Sequence, residues 1–174
     1  MKRVLVGGIS GTGKTTLARE LAERLGLPFH EMDALYHGPN WTKIPSFEDD
    51  VAAIAAQDAW VFDSMGYSEV RELVWSRADT VVWLDLSRPE VLRRVLARSF
   101  DRAWNRRETF NGNTEGFRDW LDPEHPVQWS MRAYSERRRQ LAAMFADPQH
   151  AHLRKVHLRT AAQAQRWLDV VAPA

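Results

Sequence analysis

Val4, Leu5 and Val6 form a short apolar run that breaks at Gly7 and Gly8, and a helical pattern begins at Lys14. Between them the chain reads Gly8-Ile9-Ser10-Gly11-Thr12-Gly13-Lys14-Thr15. This is the full G-x-x-x-x-G-K-[ST] spacing, and it stands in the strand–loop–helix context that gives the spacing its meaning. A Gly-rich turn of no chemical consequence would not need that context. The glycines let the backbone curl so that successive N–H groups point inward at phosphate oxygens. Lys14 supplies a compact cation to β- and γ-phosphates, and the Thr15 hydroxyl suits Mg²⁺. The positive end of the following helix adds to the attraction. Gly8, Ser10, Gly11, Thr12, Gly13, Lys14, Thr15 and Thr16 are therefore the expected ATP-holding set.

The remainder of the chain alternates strands with helices. Leu17, Ala18, Leu21, Ala22 and Leu25 keep helical spacing until Gly26 and Pro28 stop it. A weaker strand is expected over 28–32. Ser46 with Glu48, Asp49 and Asp50 behind it predicts a helix to about residue 57. A third strand is expected over 60–62, a short helix over 68–77, and a near-continuously apolar strand over 80–84 that Asp85 closes. Ser87 and Pro89 open a long helix to about residue 104. Residues 105–126, rich in Asn, Gly, Asp and Pro, predict a loop. A helix over 127–145, a strand over 155–158 and a terminal helix from Thr160 to about residue 171 complete the pattern. Such alternation implies a parallel sheet covered on both faces. With 174 residues and no repeat or linker, a single domain over 1–174 is expected.

Composition excludes several chemistries. There is no cysteine, hence no disulfide framework, thiolate metal site or cysteine nucleophile. No apolar run approaches the ~20 residues that span a bilayer, and no signal-peptide core opens the chain, so a cytoplasmic protein without a membrane partner is expected. The net charge of +1 gives no global field for nucleic acid. The distribution is less even. Of the 24 basic residues, twenty are Arg. Eleven of these lie between Arg93 and Arg139, and none lies between residues 28 and 70.

On the phosphate loop and the order of elements, the chain resembles the nucleoside-monophosphate-kinase-like branch of P-loop proteins, which includes adenylate kinase and shikimate kinase. Over His30 to Trp41 and the Arg-rich region it looks most like the small kinases labelled DNA topology modulation protein. The resemblance implies a five-stranded parallel sheet in the order 2-3-1-4-5. It also implies an acceptor-binding arm over about 33–60 and an inserted helical lid over about 99–140, between the fourth and fifth strands. The implied reaction moves the γ-phosphoryl group of ATP, with Mg²⁺, to a hydroxyl of a small molecule. The implied assembly is a monomer or homodimer.

Ligands of open α/β sheets gather at the carboxyl ends of the strands, where Asp33 and Asp63 are expected. By resemblance Asp63 matches the Asp of an adenylate kinase D-G-F-P-R stretch and would hold a Mg²⁺-bound water. Asp33 matches the shikimate-kinase-like Asp that binds the acceptor hydroxyl, and a carboxylate there can take that hydroxyl's proton. The residues after Asp63 are Ser64, Met65, Gly66 and Tyr67, so the Arg of that stretch is missing. The segment 28–70 holds Glu31, Asp33, Glu48, Asp49 and Asp50, with Lys43 its only Lys or Arg. It is a poor receptor for phosphate, which usually takes Arg forks. An uncharged or cationic hydroxyl acceptor is expected ahead of a nucleoside monophosphate. Trp41, in a Pro-bounded loop, is the aromatic expected to touch the acceptor. Phe47 and Trp60 are expected in the core, and His30 and His37 as ordinary polar residues.

Arg94 and Arg98 share a helix face. By resemblance one packs on adenine and the other reaches the transferring phosphate, with Arg137 or Arg138 as further candidates and the backbone at 158–160 beside the adenine. Read differently, Arg102, Arg106 and Arg107, interleaved with Phe100, Trp104, Phe110, Trp120 and Trp129, would make a nucleotide-switched ATPase that binds nucleic acid by charge and stacking.

Overall fold

The strand β1 (Arg3–Gly8) is the centre of the molecule because both of its edges are paired and both of its faces are covered. The computed structural model describes residues 1–105 and 126–173, and of residues 126, 127, 129–131 and 133 the backbone alone. Of the segment expected as a loop, Asn105 and Pro126 are helical, and residues 106–125, with Arg106, Arg107, Phe110 and Trp120, lie outside the described residues, as does the side chain of Trp129.

Five strands run parallel: β1, β2 (Phe29–His30), β3 (Trp60–Phe62), β4 (Thr80–Leu84) and β5 (Arg154–Leu158). Their order across the sheet is β2-β3-β1-β4-β5, as expected. Alternation along each strand sorts the core into two layers. Val4, Val6, Val82 and Leu84 pack with Leu17 and Leu21 of α1 (Lys14–Leu25) and Leu168 of α7 (Ala161–Val171). Leu5, Phe62, Val81 and Trp83 face the other way. There they meet Met32 of α2 (Met32–Tyr36), Phe47 and Val51 of α3 (Phe47–Ala55) and Trp75 of α4 (Arg71–Arg77). Leu141 and Phe145 of α6 (Pro126–Ala146) flank this second layer. Phe47 and Trp60 are fully buried, the core positions the sequence implies.

The helix α5 (Arg88–Asn105) has a third, smaller core, in which Val91 and Val95 meet Ile9 of the glycine-rich loop and Leu86. This packing lays α5 over the loop.

Two expectations are corrected. The second strand is only Phe29–His30, and Met32 already belongs to a helix. The cause is Asp63, whose Oδ1 accepts the Met32 amide at 3.0 Å and satisfies a donor that a helix start leaves open. Asp33 still follows the second strand, as expected, but it does so in the first turn of α2, one residue beyond that cap. The helix expected over 68–77 begins at Arg71, because the Val70 amide turns back to the Tyr67 carbonyl and Ser68 and Glu69 stay exposed.

Candidate active site

The carboxyl edge of the sheet brings together the end of β1, Asp63 after β3 and Asp85 after β4. The loop leaving β1 needs its glycines sterically. Gly11 has φ +87°, and a Cβ there would lie 2.4 Å from Cγ2 of Val95, so a side chain would be strained and would also clash with α5. Thr12 braces the loop from within, its amide and hydroxyl both donating to the Ile9 carbonyl, at 3.1 and 2.8 Å. Lys14 opens α1 directly after Gly13 and forms no salt bridge among the described residues.

Asp63 is 2% exposed and has two jobs. Its Oδ2 accepts the Thr15 hydroxyl at 2.5 Å, and its Oδ1 accepts the Met32 amide. One carboxylate therefore joins the glycine-rich loop to the start of α2. A hydroxyl and a carboxylate meeting at one point are hard oxygen donors of the kind Mg²⁺ takes, usually few from the protein and the rest from water and phosphate. Among the described residues no cluster of three or more His, Asp or Glu side chains would hold a metal by itself. The Thr15 hydroxyl and the Asp63 carboxylate are a pair of oxygen donors that a magnesium ion carried by a nucleotide could take.

Both expected arginines of α5 reach the loop. Nη2 of Arg98 donates to the Ser10 hydroxyl at 3.0 Å. Nη1 of Arg94 lies 3.5 Å from where a Cβ on Gly13 would stand, while its Nη2 pairs with Glu90 at 2.7 Å.

Across Asp63 lies an acidic and aromatic surface. Oδ1 of Asp33 accepts the Tyr67 hydroxyl at 2.9 Å. Glu31 is pushed up from the usual carboxylate range by burial and by the charges of Asp63 and Asp33. Trp41 is 43% exposed and meets His37 edge-on at 5.4 Å. Lys43 is occupied within the arm: it binds Glu48, reaches Glu69 at 3.1 Å and rides over the rings of Tyr36 and Phe47. Glu69 is held down to about 2, by its own backbone amide first and then by Ser68 and Lys43. A cation from outside the arm also arrives. Arg71 donates to the Gly66 carbonyl at 3.3 Å, and its guanidinium is lowered by burial and then by the charge of Arg137. Linear spacing missed this pair because Arg71 lies one residue beyond the Arg-free segment and Arg137 on another helix.

Arg138 turns elsewhere. It forks the Asp85 carboxylate with Nε at 2.7 Å and Nη2 at 2.9 Å, and His157 Nε2 adds a contact at 3.0 Å. Tyr134 donates to the Leu86 carbonyl at 2.8 Å from the same helix. These contacts moor α6 to the end of β4. Burial alone would raise Asp85, but the bonds from Arg138 and His157 hold it below its ordinary value. An acid so depressed contributes stability above its unfolded pKa of about 3.9, and the contribution is lost as pH falls through the folded value. Arg138→Met should lower stability by about 1–2 kcal/mol at pH 7, less than a fully buried pair costs because Arg138 is half exposed. Thermal melts should show the gap from wild type narrowing below about pH 4, and a gap independent of pH would exclude the ion pair as its cause.

Comparison with known proteins agrees with this geometry. The family described as AAA domain matches residues 4–111, well over half of the chain. Two shikimate kinases, from Synechococcus elongatus and another Synechococcus strain, are each 32% identical over 103 residues. That match takes in 51% of this chain and 54% of theirs, so the chain spans about half the length of the curated relatives it matches. Among solved structures, a shikimate kinase from Acinetobacter baumannii in complex with shikimate superposes with a TM-score of 0.59 at 21% identity, over 98% of this chain and 93% of that one. A gluconokinase from Sinorhizobium meliloti 1021 gives 0.52 at 18% identity, over 98% and 93%. At such identities the likeness speaks for the fold. With its phosphate loop, its 2-3-1-4-5 parallel sheet and this match, the chain belongs to the AAA-domain family of P-loop proteins and has the nucleoside-monophosphate-kinase-like fold.

Proposed function

We propose that this protein is an ATP-dependent phosphotransferase that moves the γ-phosphoryl group of ATP to a hydroxyl of a small molecule bearing no phosphate of its own. The observation that carries this reading is the double role of Asp63, which ties Thr15 of the phosphate loop to the helix start beside Asp33. Donor and acceptor sides are thus coupled through one buried carboxylate. The loop amides and Lys14 hold the phosphates, with Arg94 beside them. Thr15 and Asp63 would hold the magnesium, which would supply positive charge to neutralise the phosphates. Asp33 orients the acceptor hydroxyl and takes its proton. Arg98 stabilises charge that develops on the transferring group. Arg98→Ala should therefore lower kcat about a hundredfold while ATP affinity changes little. Unchanged turnover would remove Arg98 from the mechanism.

The case against a phosphorylated acceptor rests on the scarcity of cations for Arg forks. Lys43, the sole Lys or Arg of segment 28–70, is bonded to Glu48 and Glu69, and Arg71 beyond that segment is already tied to the Gly66 carbonyl through Nε. An uncharged or cationic hydroxyl compound suits that arm. A hydroxy acid, whose carboxylate asks for a single guanidinium, is the second candidate, favoured by Arg71 at the Gly66 turn. The test is a thermal-shift screen with a non-hydrolysable ATP analogue and Mg²⁺ against amino alcohols, neutral polyols, shikimate and other hydroxy acids, and nucleoside monophosphates. A ligand specific for the folded state raises Tm. Coupled assays then follow ATP consumption with each hit. Strong stimulation by AMP, CMP or UMP, with none by unphosphorylated alcohols, would overturn the reading.

A nucleic-acid-binding ATPase has one observation in its favour. Phe100 and Trp104 are stacked at 5.8 Å on α5 and exposed, Trp104 to 70%. Steep, salt-dependent retention on immobilised DNA or RNA would support it.

A further inference from the structure

We propose that Tyr67 is a positioning residue for Asp33. In this role it is a fixed hydrogen-bond donor that commits one carboxylate oxygen and leaves the other, Oδ2, to receive the acceptor's proton. The inference rests on the phosphotransfer reading for its catalytic consequence, but its hydrogen bond stands apart from it.

The geometry begins with the turn after β3. Gly66 has φ +86°, and a Cβ there would lie 2.9 Å from the Arg71 Cα, so only glycine lets the chain double back at this point. The turn throws Tyr67 onto the arm, where its ring is held on two sides. It stacks on Tyr36 with centroids 4.0 Å apart and an interplanar angle of 2°, and it meets Phe47 at 5.5 Å and 81°. Phe47 is fully buried, so this support is part of the core. A ring gripped in this way has little freedom to turn its hydroxyl away from Asp33.

The direction of the hydrogen bonds follows from the proton count. Tyr67 has one hydroxyl proton, and it goes to Oδ1 of Asp33 at 2.9 Å. His37 Nε2 stands 3.3 Å from the same hydroxyl oxygen. With the Tyr67 proton committed, that contact is made by an N–H of His37 donating to Tyr67. The chain His37 to Tyr67 to Asp33 is polarised one way, and each link strengthens the next. Burial, and then the charge of Asp33, pushes the Tyr67 phenol well above its ordinary range, so it remains a donor at any working pH. The other acidic groups whose charge reaches this cluster are Glu31, which feels the charge of Asp33, and Asp63, whose two oxygens are engaged by Thr15 and the Met32 amide. Among the described residues, Tyr67 is the side chain that donates to Asp33.

In the transfer step the acceptor oxygen bonds to the γ-phosphorus, the bond from that phosphorus to the bridging oxygen breaks, and its electron pair leaves with ADP. The acceptor's proton goes to Oδ2 of Asp33. A carboxylate free to rotate would spend part of its time aimed elsewhere, and small misplacements of a reacting group are costly.

Two measurements test this. The first needs no acceptor. Proton NMR should show a hydroxyl resonance assigned to the Tyr67 ring, protected from exchange, which shifts in Asp33→Asn. Absence of such a response overturns the proposal whatever the acceptor is. The second uses Tyr67→Phe, which keeps the ring and the stack, with the acceptor that the screen yields. Its kcat should fall about tenfold or more with the ATP KM unchanged, and Tm should confirm that it folds. Unchanged kcat overturns the positioning role. Should wild type phosphorylate none of the acceptors tested while the NMR response is present, the transfer reading and its catalytic consequence fall, and the hydrogen bond stands.

Discussion

Lys14→Ala should cut ATP turnover about a thousandfold or more, a loss of ~4 kcal/mol of transition-state stabilisation. The size follows from where charge accumulates. A phosphoryl group in flight spreads negative charge over its equatorial oxygens, and a nearby ammonium in a water-poor cleft acts on it with little screening. Lys14 is suited to that task because, among the described residues, no carboxylate forms a salt bridge with it. It stands at the first residue of α1, half-buried, so its removal should leave stability within about 0.5 kcal/mol of wild type. Lys14→Arg should not rescue, since a planar guanidinium is a poor substitute for a compact point charge at a tight loop. Basal ATP hydrolysis and calorimetry with Mg²⁺ and ATP are the measurements. Wild-type turnover in Lys14→Ala would mean that the loop does not grip polyphosphate at all.

Why the loop could be read in advance, and the surface opposite it could not, is a matter of range. Gly8 to Thr15 is contiguous, and its geometry follows from local backbone freedom plus a strand before and a helix after. The strand order came from resemblance, and the register of β1 with β3 and β4 bears it out. Asp63 was legible because a carboxylate closing a central strand has only one edge of the sheet to face. Asp33 is legible as a carboxylate that follows the second strand, but the helix that holds it is not, because that helix is begun by a side chain 31 positions away. Tyr67 reaches Asp33 across 34 positions, and Arg138 reaches Asp85 across 53. Contacts at such separations depend on which helix faces dock, and no periodicity in one segment encodes that. Arg138 shows the hazard of counting like residues: it looked like one more lid arginine, and it moors a helix instead. Lys43 shows the converse, a cation that the linear count leaves available and the fold commits to Glu48 and Glu69.

Asp33→Asn should separate the two halves of the site, leaving nucleotide binding intact and reducing transfer to the acceptor about a thousandfold. Asparagine has the shape of aspartate, and its amide oxygen can still accept the Tyr67 hydroxyl, so the Tyr36–Tyr67 stack should persist. What it lacks is a second oxygen able to take a proton, since an amide NH₂ only donates. The acceptor hydroxyl would then be aligned but not deprotonated as its bond to phosphorus forms, which is the contribution of a general base. Nucleotide affinity should hold because the loop amides, Lys14 and Thr15 lie on the other side of Asp63, and Asp63 keeps its bonds to Thr15 and to the Met32 amide. Calorimetry with Mg²⁺ and ATP should thus give wild-type binding in Asp33→Asn, while a coupled assay with the acceptor from the screen shows the fall in kcat. Loss of ATP binding would mean that Asp33 belongs to the nucleotide side. Transfer at the wild-type rate would mean that the proton leaves by another route, and Asp33 would lose its place in the chemistry.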